Sequence, residues 1–445
     1  MKKIQIARLG ILLCIFATTL DLSITITSIP YLAAHYNIAS SKAVWILNYY
    51  QIGMFAAILP AITLSYRYGL KQTFLSGLII FNIAAVLSFF VQTADQLIAL
   101  KFLQGLAVAA LVSINISLIK LLTPPEALGK ALGWNVFMVA SGFCLGPIIA
   151  AYSIEYFEIH YLFTSYLILT APLIFVLLHY LPTLQVTAKK IDIWKIGFLF
   201  FGFFLICHGL TAAQTFPWLS LLKVILGLAM LVTLYLYDRH AKHRVIEYQV
   251  FKIKGFVLSL SIAFIAYGTQ TAAFVALPFL FIHLLDKNTL EVGLFMSPWS
   301  LVGAIAAPFA GMLADKLSSS FIVLVGNLIL ALMIFMFSTI DDHLSNFNLL
   351  FMLCICGIGF ALFNSPNQKN ILSRVPQHLS PDASGLLSLA RIAGQTLGTI
   401  MMSVWFFIFS INMLSELFIL LALCFTFAAV LSYIRIRGDR NIFQP

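Results

Sequence analysis

Charge is what this sequence has least of: Asp, Glu, Lys and Arg make up only 9% of its 445 residues. A soluble domain carries about 25%, so there is too little charge to cover a water-facing surface. With 61% hydrophobic residues, 40 Phe among them, the composition is that of a chain dissolved in a bilayer. Acidic residues are scarcer than basic ones, 16 against 26. That excess does not point to nucleic acid, because the basic residues form no single patch. They recur in short segments between apolar runs, as topology determinants do. Cysteine is also sparse. Cys14, Cys144, Cys207, Cys354, Cys356 and Cys424 all lie inside apolar runs, and the close pair Cys354-x-Cys356 points to different faces of a helix. This spacing holds neither a disulfide framework nor a zinc site, so the cysteines are read as small core residues. The G-x-x-x-x-G-K-[ST] phosphate loop is missing, which removes support for ATP as the drive. No catalytic constellation stands out, so the sequence predicts no enzyme, no metal site and no cofactor.

What the sequence has instead is long apolar segments. A span needs roughly 20 mostly apolar residues, and fourteen such segments are predicted: 8–34, 43–65, 73–93, 97–122, 129–152, 161–181, 193–214, 219–237, 255–283, 290–313, 319–339, 347–370, 383–409 and 414–435. The start, MKKIQIARLGILLCIFATTL, resembles a signal peptide, but its apolar run continues without a small-x-small cleavage site and is read as the first span. With the N-terminus in the cytoplasm, the inner segments hold twenty-one basic residues, Lys195 and Arg435 included. The outer segments hold two, Lys42 and Lys287. This asymmetry predicts a cell (inner) membrane protein with both termini cytoplasmic. Lys101, Lys223 and Arg391 remain inside spans. Lys223 is close enough to an outer end to snorkel, and the basic stretch 238–254 is read as a plain inner loop.

The chain repeats with a period near 250 residues. ASGFCLGP (140–147) aligns with IAGQTLGT (392–399), Ile29-Pro30 with Leu277-Pro278, Gln104-Gly105 with Cys356-Gly357, and ITLSYRYG (62–69) with GMLADKLS (311–318). The order is kept and the offset nearly so. The predicted fold is therefore all-α and polytopic. A six-helix half spans 1–181, an inserted helix pair with flanking loops spans 182–254, and a second six-helix half spans 255–445. Two such halves form the transporter plan, with a substrate site near the midplane.

These motifs resemble those of the major facilitator superfamily, specifically its fourteen-helix drug:proton antiporter family, over nearly the whole chain. Leu20, Asp21, Ser23 and Pro30 meet L-D-x-T-x-x-x-x-x-x-P with Ser for Thr. Trp45, Tyr49 and Tyr50 resemble the W-x-x-x-x-Y opening of the second span. Lys101, Gln104 and Gly105 meet R-x-x-Q-G with Lys for Arg. Gly142, Gly146 and Pro147 meet G-x-x-x-G-P-x-x-G-G up to the last two glycines, which are Ala150 and Ala151. Arg391 and Gly394 stand at R-x-x-G. The loop motif G-x-L-A-D-R-x-G-R-K keeps Leu64, Arg67, Gly69 and Lys71 but has Ile62 for its Gly and Tyr66 for its Asp. Its second copy, with Gly311 and Asp315, is better preserved. The resemblance implies that this motif latches one access state, so its erosion bears on gating.

The residues carry a chemistry of their own. Cys14, Thr18, Asp21, Thr25 and Ser28 form one polar stripe at helical spacing. A charge at the bilayer centre costs at least ~2.5–3.5 kcal/mol, so Asp21 must face a cavity or a partner. A carboxyl group that gains and loses a proton as access alternates couples proton entry to substrate exit; a permanently paired structural Asp is the other reading. Lys101, with Gln104, Val108 and Asn115 on its face, either tunes Asp21 or merely neutralises it. Arg391 shares a stripe with Ser384, Ser388 and Gln395, and either holds an anionic substrate group or bonds helix carbonyls. Thr25, Ser28, Gln104, Asn115, Gln270, Arg391 and Gln395 are the substrate-cavity candidates. His208 is read as a helix-contact histidine rather than a relay. Gly142, Gly146 and Pro147 suit a closely packed, bendable fifth span, and Asn364 to Gln368, around Pro366, read as a broken, polar inner gate. The gating candidates are thus Gly142, Gly146, Pro147, Arg67, Gly69, Gly311, Asp315, Asn364 and Pro366. The expectation is a monomeric antiporter driven by the proton gradient that exports amphipathic or lipophilic small molecules and has the lipid bilayer as its surroundings. An exporter of an anionic or zwitterionic metabolite, such as a carboxylate siderophore, is the alternative, and a non-transporting membrane sensor the remote one.

Overall fold

The computed structural model describes residues 2–124, 128–157, 159–183, 193–213, 217–238, 248–340, 345–376, 379–409 and 413–440. It is all-helical among those residues. The long helices are α1 (Lys2–His35), α2 (Ser40–Tyr68), α3 (Leu70–Ser88), α4 (Ala94–Leu121), α5 (Leu128–Tyr156), α6 (Leu167–Tyr180), α7 (Ile193–Ala212) and α8 (Pro217–Asp238). After a short 3-10 turn at Tyr248–Lys252 come α9 (Phe256–His283), α10 (Thr289–Lys316), α11 (Ser319–Phe337), α12 (Asn346–Arg374), α13 (Ser380–Ile408) and α14 (Leu414–Arg440). Each predicted span overlaps one of these helices. Twelve are long and apolar enough to cross a membrane, while α6 is a shorter apolar helix. Within a bilayer only helices and closed barrels satisfy their backbone groups, which is why an apolar chain of this kind has so few ways to fold. Two helices start on reciprocal capping boxes: Thr93 with Gln96 before α4, and Asn288 with Glu291 before α10. Each box satisfies two orphan N–H groups.

The chain divides into two compact units, Met1–His240 and Ala241–Pro445. In the first, α1 packs on α5 and α6, α4 on α2 and α3, and α3 on α6. In the second, α9 packs on α13 and α14, α12 on α10 and α11, and α11 on α14. Each pairing of the first six helices thus recurs in the last six. The inserted helices α7 and α8 pack on each other, and α7 lies against α2.

The repeat extends to single contacts. A Cβ on Gly142 would lie 2.8 Å from the Phe16 carbonyl and 2.1 Å from Thr19 Oγ1; one on Gly394 would lie 2.1 Å from the Phe264 carbonyl. Phe16 and Phe264 are as far apart in sequence as Pro30 and Pro278, the matched prolines of α1 and α9. The same backbone-to-backbone contact is therefore built twice, and only glycine admits it.

The structure corrects several expectations. Span 161–181 is not one helix. A single turn at Ile159–Leu162 is followed by a bend before α6, where the Thr164 and Ser165 hydroxyls donate to the carbonyls of Tyr161 and Leu162. Such local bonds compete with helix continuation. Nor is α12 broken at Pro366: it runs continuously from Asn346 to Arg374, as membrane helices accommodate proline when neighbours re-satisfy the freed groups. Arg435 is not a loop charge but a buried side chain that donates to Ser320, Ser259 and Asn367 at 2.7–3.0 Å. Lys195 is likewise buried and bonds Asp238 at 2.6 Å. Of the basic stretch 238–254, residues 239–247 lie outside the described residues, as do Lys189 and Lys190.

Candidate functional site

Asp21, on α1, is 0% exposed. Its Oδ1 accepts two hydrogen bonds, from Lys101 Nζ of α4 at 2.7 Å and from the Tyr166 hydroxyl at 2.9 Å. Gln104, one turn along α4 from Lys101, donates its Nε2 to the same Tyr166 oxygen at 2.8 Å. Tyr166 sits at the mouth of α6, directly after the bend. The polar pair Thr164 and Ser165 thus breaks the helix where a tyrosine can be turned toward α1. Tyr166 also stacks on Phe81, with ring centroids 5.2 Å apart. Lys101 is as buried as its partner, and its ammonium lies 3.9 Å from the Phe163 ring centroid and 5.9 Å from that of Tyr50. Asp21 Oδ2, buried as well, has no hydrogen-bond partner.

The arrangement is an ion pair sealed from water in one protein unit. Its Coulomb gain must offset the cost of desolvating two charges, and removing either member costs about 3–5 kcal/mol because the other is left stranded. The short bonds from Lys101 and Tyr166 are charge-assisted, the stronger kind.

The other expected residues lie in both units. Thr25 and Ser28 lie on the Asp21 stripe and are buried, with hydroxyls that donate to the α1 carbonyls of Asp21 and Ile24, each at 2.8 Å. Asn115 donates to Asn135 of α5 at 2.7 Å. Gly146 would place a Cβ 2.4 Å from that of Ser23, whose hydroxyl donates to the Phe143 carbonyl at 3.1 Å; with Pro147 and Gly142 it sets the α1–α5 contact. The loop-motif residues are at the surface: Arg67 lies 5.4 Å from the ring centroid of its neighbour Tyr68, and Gly69 turns the chain with φ at 90°. In the second copy Gly311 has open space around its Cβ, while Asp315 forms an ion pair with Lys369 of α12.

A second polar cluster occupies the second unit. The Tyr267 hydroxyl of α9 donates to Asn364 Oδ1 of α12 at 2.6 Å, and Gln368 Nε2 donates to the same oxygen at 3.0 Å. The Arg391 guanidinium lies 5.9 Å from the Tyr267 ring centroid. Gln395 follows one turn along α13 and Gln270 one turn along α9, both half-buried. A cation–π contact at an exposed site is worth about 0.5–1 kcal/mol and fades near 6 Å, so it offsets only part of the ~2.5–3.5 kcal/mol charged to a cation at mid-membrane.

A third group was not anticipated. The Tyr49 hydroxyl bonds His208 Nδ1 at 2.7 Å, and Lys223 Nζ lies 3.1 Å from His208 Nε2. An ammonium can only donate, so His208 accepts at Nε2 and carries its proton on Nδ1. Lys223 is therefore not simply snorkelling; it is tied through His208 to α2. Sequence reasoning missed Tyr166, Tyr267 and Tyr49 as partners of charged groups.

Comparison with known proteins agrees with this architecture. The family model described as Major Facilitator Superfamily matches residues 11–399. The uncharacterized transporter YebQ of Escherichia coli is 27% identical over 98% of this chain and 96% of its own length. The riboflavin transporter RibZ of Clostridioides difficile is 26% identical over 91% of this chain and 89% of its own, and multidrug resistance protein 3 of Bacillus subtilis 25% identical over 88% and 77%. Among solved structures, a peptide transporter POT in complex with sulfate has the same fold, with a TM-score of 0.76 at 14% identity over 98% of this chain and 94% of that one. On the family match and its apolar helices, this chain belongs to the Major Facilitator Superfamily and is a multi-pass membrane transporter.

Proposed function

We propose that the protein is a proton-coupled antiporter that exports amphipathic or lipophilic small molecules by alternating access, in the manner of the fourteen-helix drug:proton antiporters. The observation that carries this reading is the sealed Asp21–Lys101–Tyr166 cluster, the deepest carboxylate in the described residues. Oδ2 of Asp21 is the oxygen on which a proton arrives without displacing a donor, since both hydrogen bonds fall on Oδ1. Protonation there cancels the ion pair and strands the Lys101 ammonium in a dry core. The Phe163 face, a single cation–π contact on the order of 2 kcal/mol when desolvated, offsets only part of the ~3–5 kcal/mol cost of a stranded buried charge. The protonated state is therefore driven toward a conformation in which Lys101 reaches water. Return requires Asp21 to give up its proton, which ties the conformational cycle to the gradient.

In this reading Asp21 carries the proton and Lys101 senses it. Tyr166, held by Gln104, positions the carboxylate. Gly142, Gly146 and Pro147 set the α1–α5 hinge surface, and the loop residues Arg67, Gly69, Gly311 and Asp315, with Asn364 and Pro366, bias the access states. The protein works as a monomer in the cell membrane with both termini cytoplasmic, the side its basic residues favour. The name of the Bacillus relative supports efflux, and that of the Clostridioides relative shows that likeness at this level also reaches a transporter named for a vitamin.

The test is a pH gradient across everted vesicles holding the purified protein. A transported compound should dissipate the gradient with wild type and not with Asp21→Asn. If Asp21→Asn moves protons as wild type does in the presence of an active substrate, the coupling role assigned to this carboxylate is wrong.

A further inference from the structure

Charge accounting within the helices separates the two groups that could meet a substrate. Asp21 is fully buried and already neutralised by Lys101 at 2.7 Å. The other described carboxylates whose side chains are placed sit at helix ends or in connections: Asp95, Glu155, Asp238, Asp286, Glu291, Asp315 and Glu416. Among the described residues, a cationic substrate therefore finds no available counter-charge deep in either unit. Arg391 is the reverse case. It lies midway along α13, is half-buried, hydrogen-bonds the neutral side chain of Tyr267, and forms no ion pair among the described residues. An intramembrane cation without an acid is the feature that most needs a ligand.

Its surroundings present donors. The network there uses the acceptor oxygen of Asn364 on the donors of Tyr267 and Gln368. The guanidinium fork matches two oxygens of one carboxylate, sulfonate or phosphate. The side chain beside it is aromatic: half-buried Phe360 lies 5.7 Å from the Tyr267 ring centroid, backed by the fully buried Phe363 at 5.5 Å. A polar oxyanion head with an aromatic or lipophilic body would satisfy both surfaces at once.

We propose that the second unit holds an oxyanion subsite centred on Arg391, with Tyr267, Asn364 and Gln368 as its frame, and that the substrate is an amphipathic anion. The inference rests on the reading of the chain as an exporter of amphipathic molecules and names their class.

The test is ligand-induced stabilisation of the purified full-length protein in lipid nanodiscs, with no gradient present, so that a failure of proton coupling does not affect it. The probes are naphthalene carboxylate, naphthalene carboxamide and naphthylmethyl ammonium, three bodies of nearly one shape with negative, neutral and positive heads. Wild type should bind the carboxylate roughly tenfold or more tighter than the other two, the scale expected for a partly buried charge pair. Arg391→Gln should lose that preference, while Arg391→Lys, which keeps the charge but not the fork, should retain part of it. The lysine variant carries the test should the glutamine variant not fold. An ammonium bound as well as the carboxylate, no charge-dependent stabilisation in wild type, or an undiminished carboxylate preference in Arg391→Gln would overturn the proposal.

Discussion

At the scale of single residues, the buried ion pair makes a prediction that separates stability from transport. Lys101→Met leaves the Asp21 carboxylate in a dry site with only Tyr166 to donate, and should cost about 3–5 kcal/mol. Asp21→Asn strands Lys101 in the same way. The double variant Asp21→Asn/Lys101→Met removes both charges and should recover most of the loss, because a neutral replacement of a buried pair is often close to neutral in stability. Thermal unfolding of the four proteins in one detergent gives the cycle. Near-additive losses would mean that the two side chains are not coupled and that the 2.7 Å contact is not maintained in the membrane. Asp21 and Lys101 were legible in the sequence because a charge inside an apolar run is conspicuous and must have a partner. Tyr166 and Tyr267 were not, because a tyrosine among 16 in an apolar chain carries no signal of which hydroxyl is turned inward. Arg435 was misjudged for a related reason. Near a span's end, the pattern does not tell a loop charge from a guanidinium folded back among Ser259, Ser320 and Asn367.

At the scale of helices, the two glycine contacts and the inserted pair can be tested separately. Gly142→Ala and Gly394→Ala each insert a methyl group against a backbone carbonyl of the partner helix. Overpacking of this kind costs about 1–3 kcal/mol. Gly133→Ala, on the same α5, meets nothing within 4 Å and should be neutral or slightly stabilising, as alanine is the better helix former. Unfolding midpoints in Gly142→Ala and Gly394→Ala no lower than that of Gly133→Ala would show that the α1–α5 and α9–α13 approaches are looser than these contacts require. Helix α8 makes a different prediction. Most of its surface is exposed apolar side chain, and its Lys223 Nζ bonds His208 Nε2 at 3.1 Å. His208→Leu should therefore loosen α8, seen as faster amide hydrogen exchange along 217–238, whereas Lys223→Met should not, since a methionine needs no partner in lipid. The fourteen helices and their internal repeat were readable because hydropathy and the glycine and proline offsets are long-range patterns. The bend before α6 was not, because Thr164 and Ser165 are equally at home inside a membrane helix when they bond back to its carbonyls.

At the scale of the molecule, orientation depends on parity, and parity depends on two helices that length and hydropathy alone leave open. Helix α6 has 14 residues, about 21 Å at 1.5 Å per residue, against a hydrocarbon core of roughly 30 Å. It needs the preceding turn and bend to complete a crossing. Helix α13 carries Arg391 and Gln395 at its middle and is not among the twelve helices long and apolar enough to cross a membrane by length and composition among the described residues. Single cysteines in a background with the six native ones removed decide both cases. Asp95→Cys and Lys287→Cys are separated by α4 to α9. If α6 crosses, they lie on one side, and a membrane-impermeant maleimide should label both in intact cells. Lys71→Cys and Lys316→Cys should react only after permeabilisation. Gly438→Cys is separated from Lys316 by α11 to α14, so it should share the behaviour of Lys316 if α13 crosses. Labelling of Asp95→Cys but not Lys287→Cys from outside would remove one crossing from α4 to α9, and with it the argument that the basic residues sort to a single face. The same result would place Arg391 in a helix of inverted direction, so the orientation experiment also constrains from which side an anion would reach it.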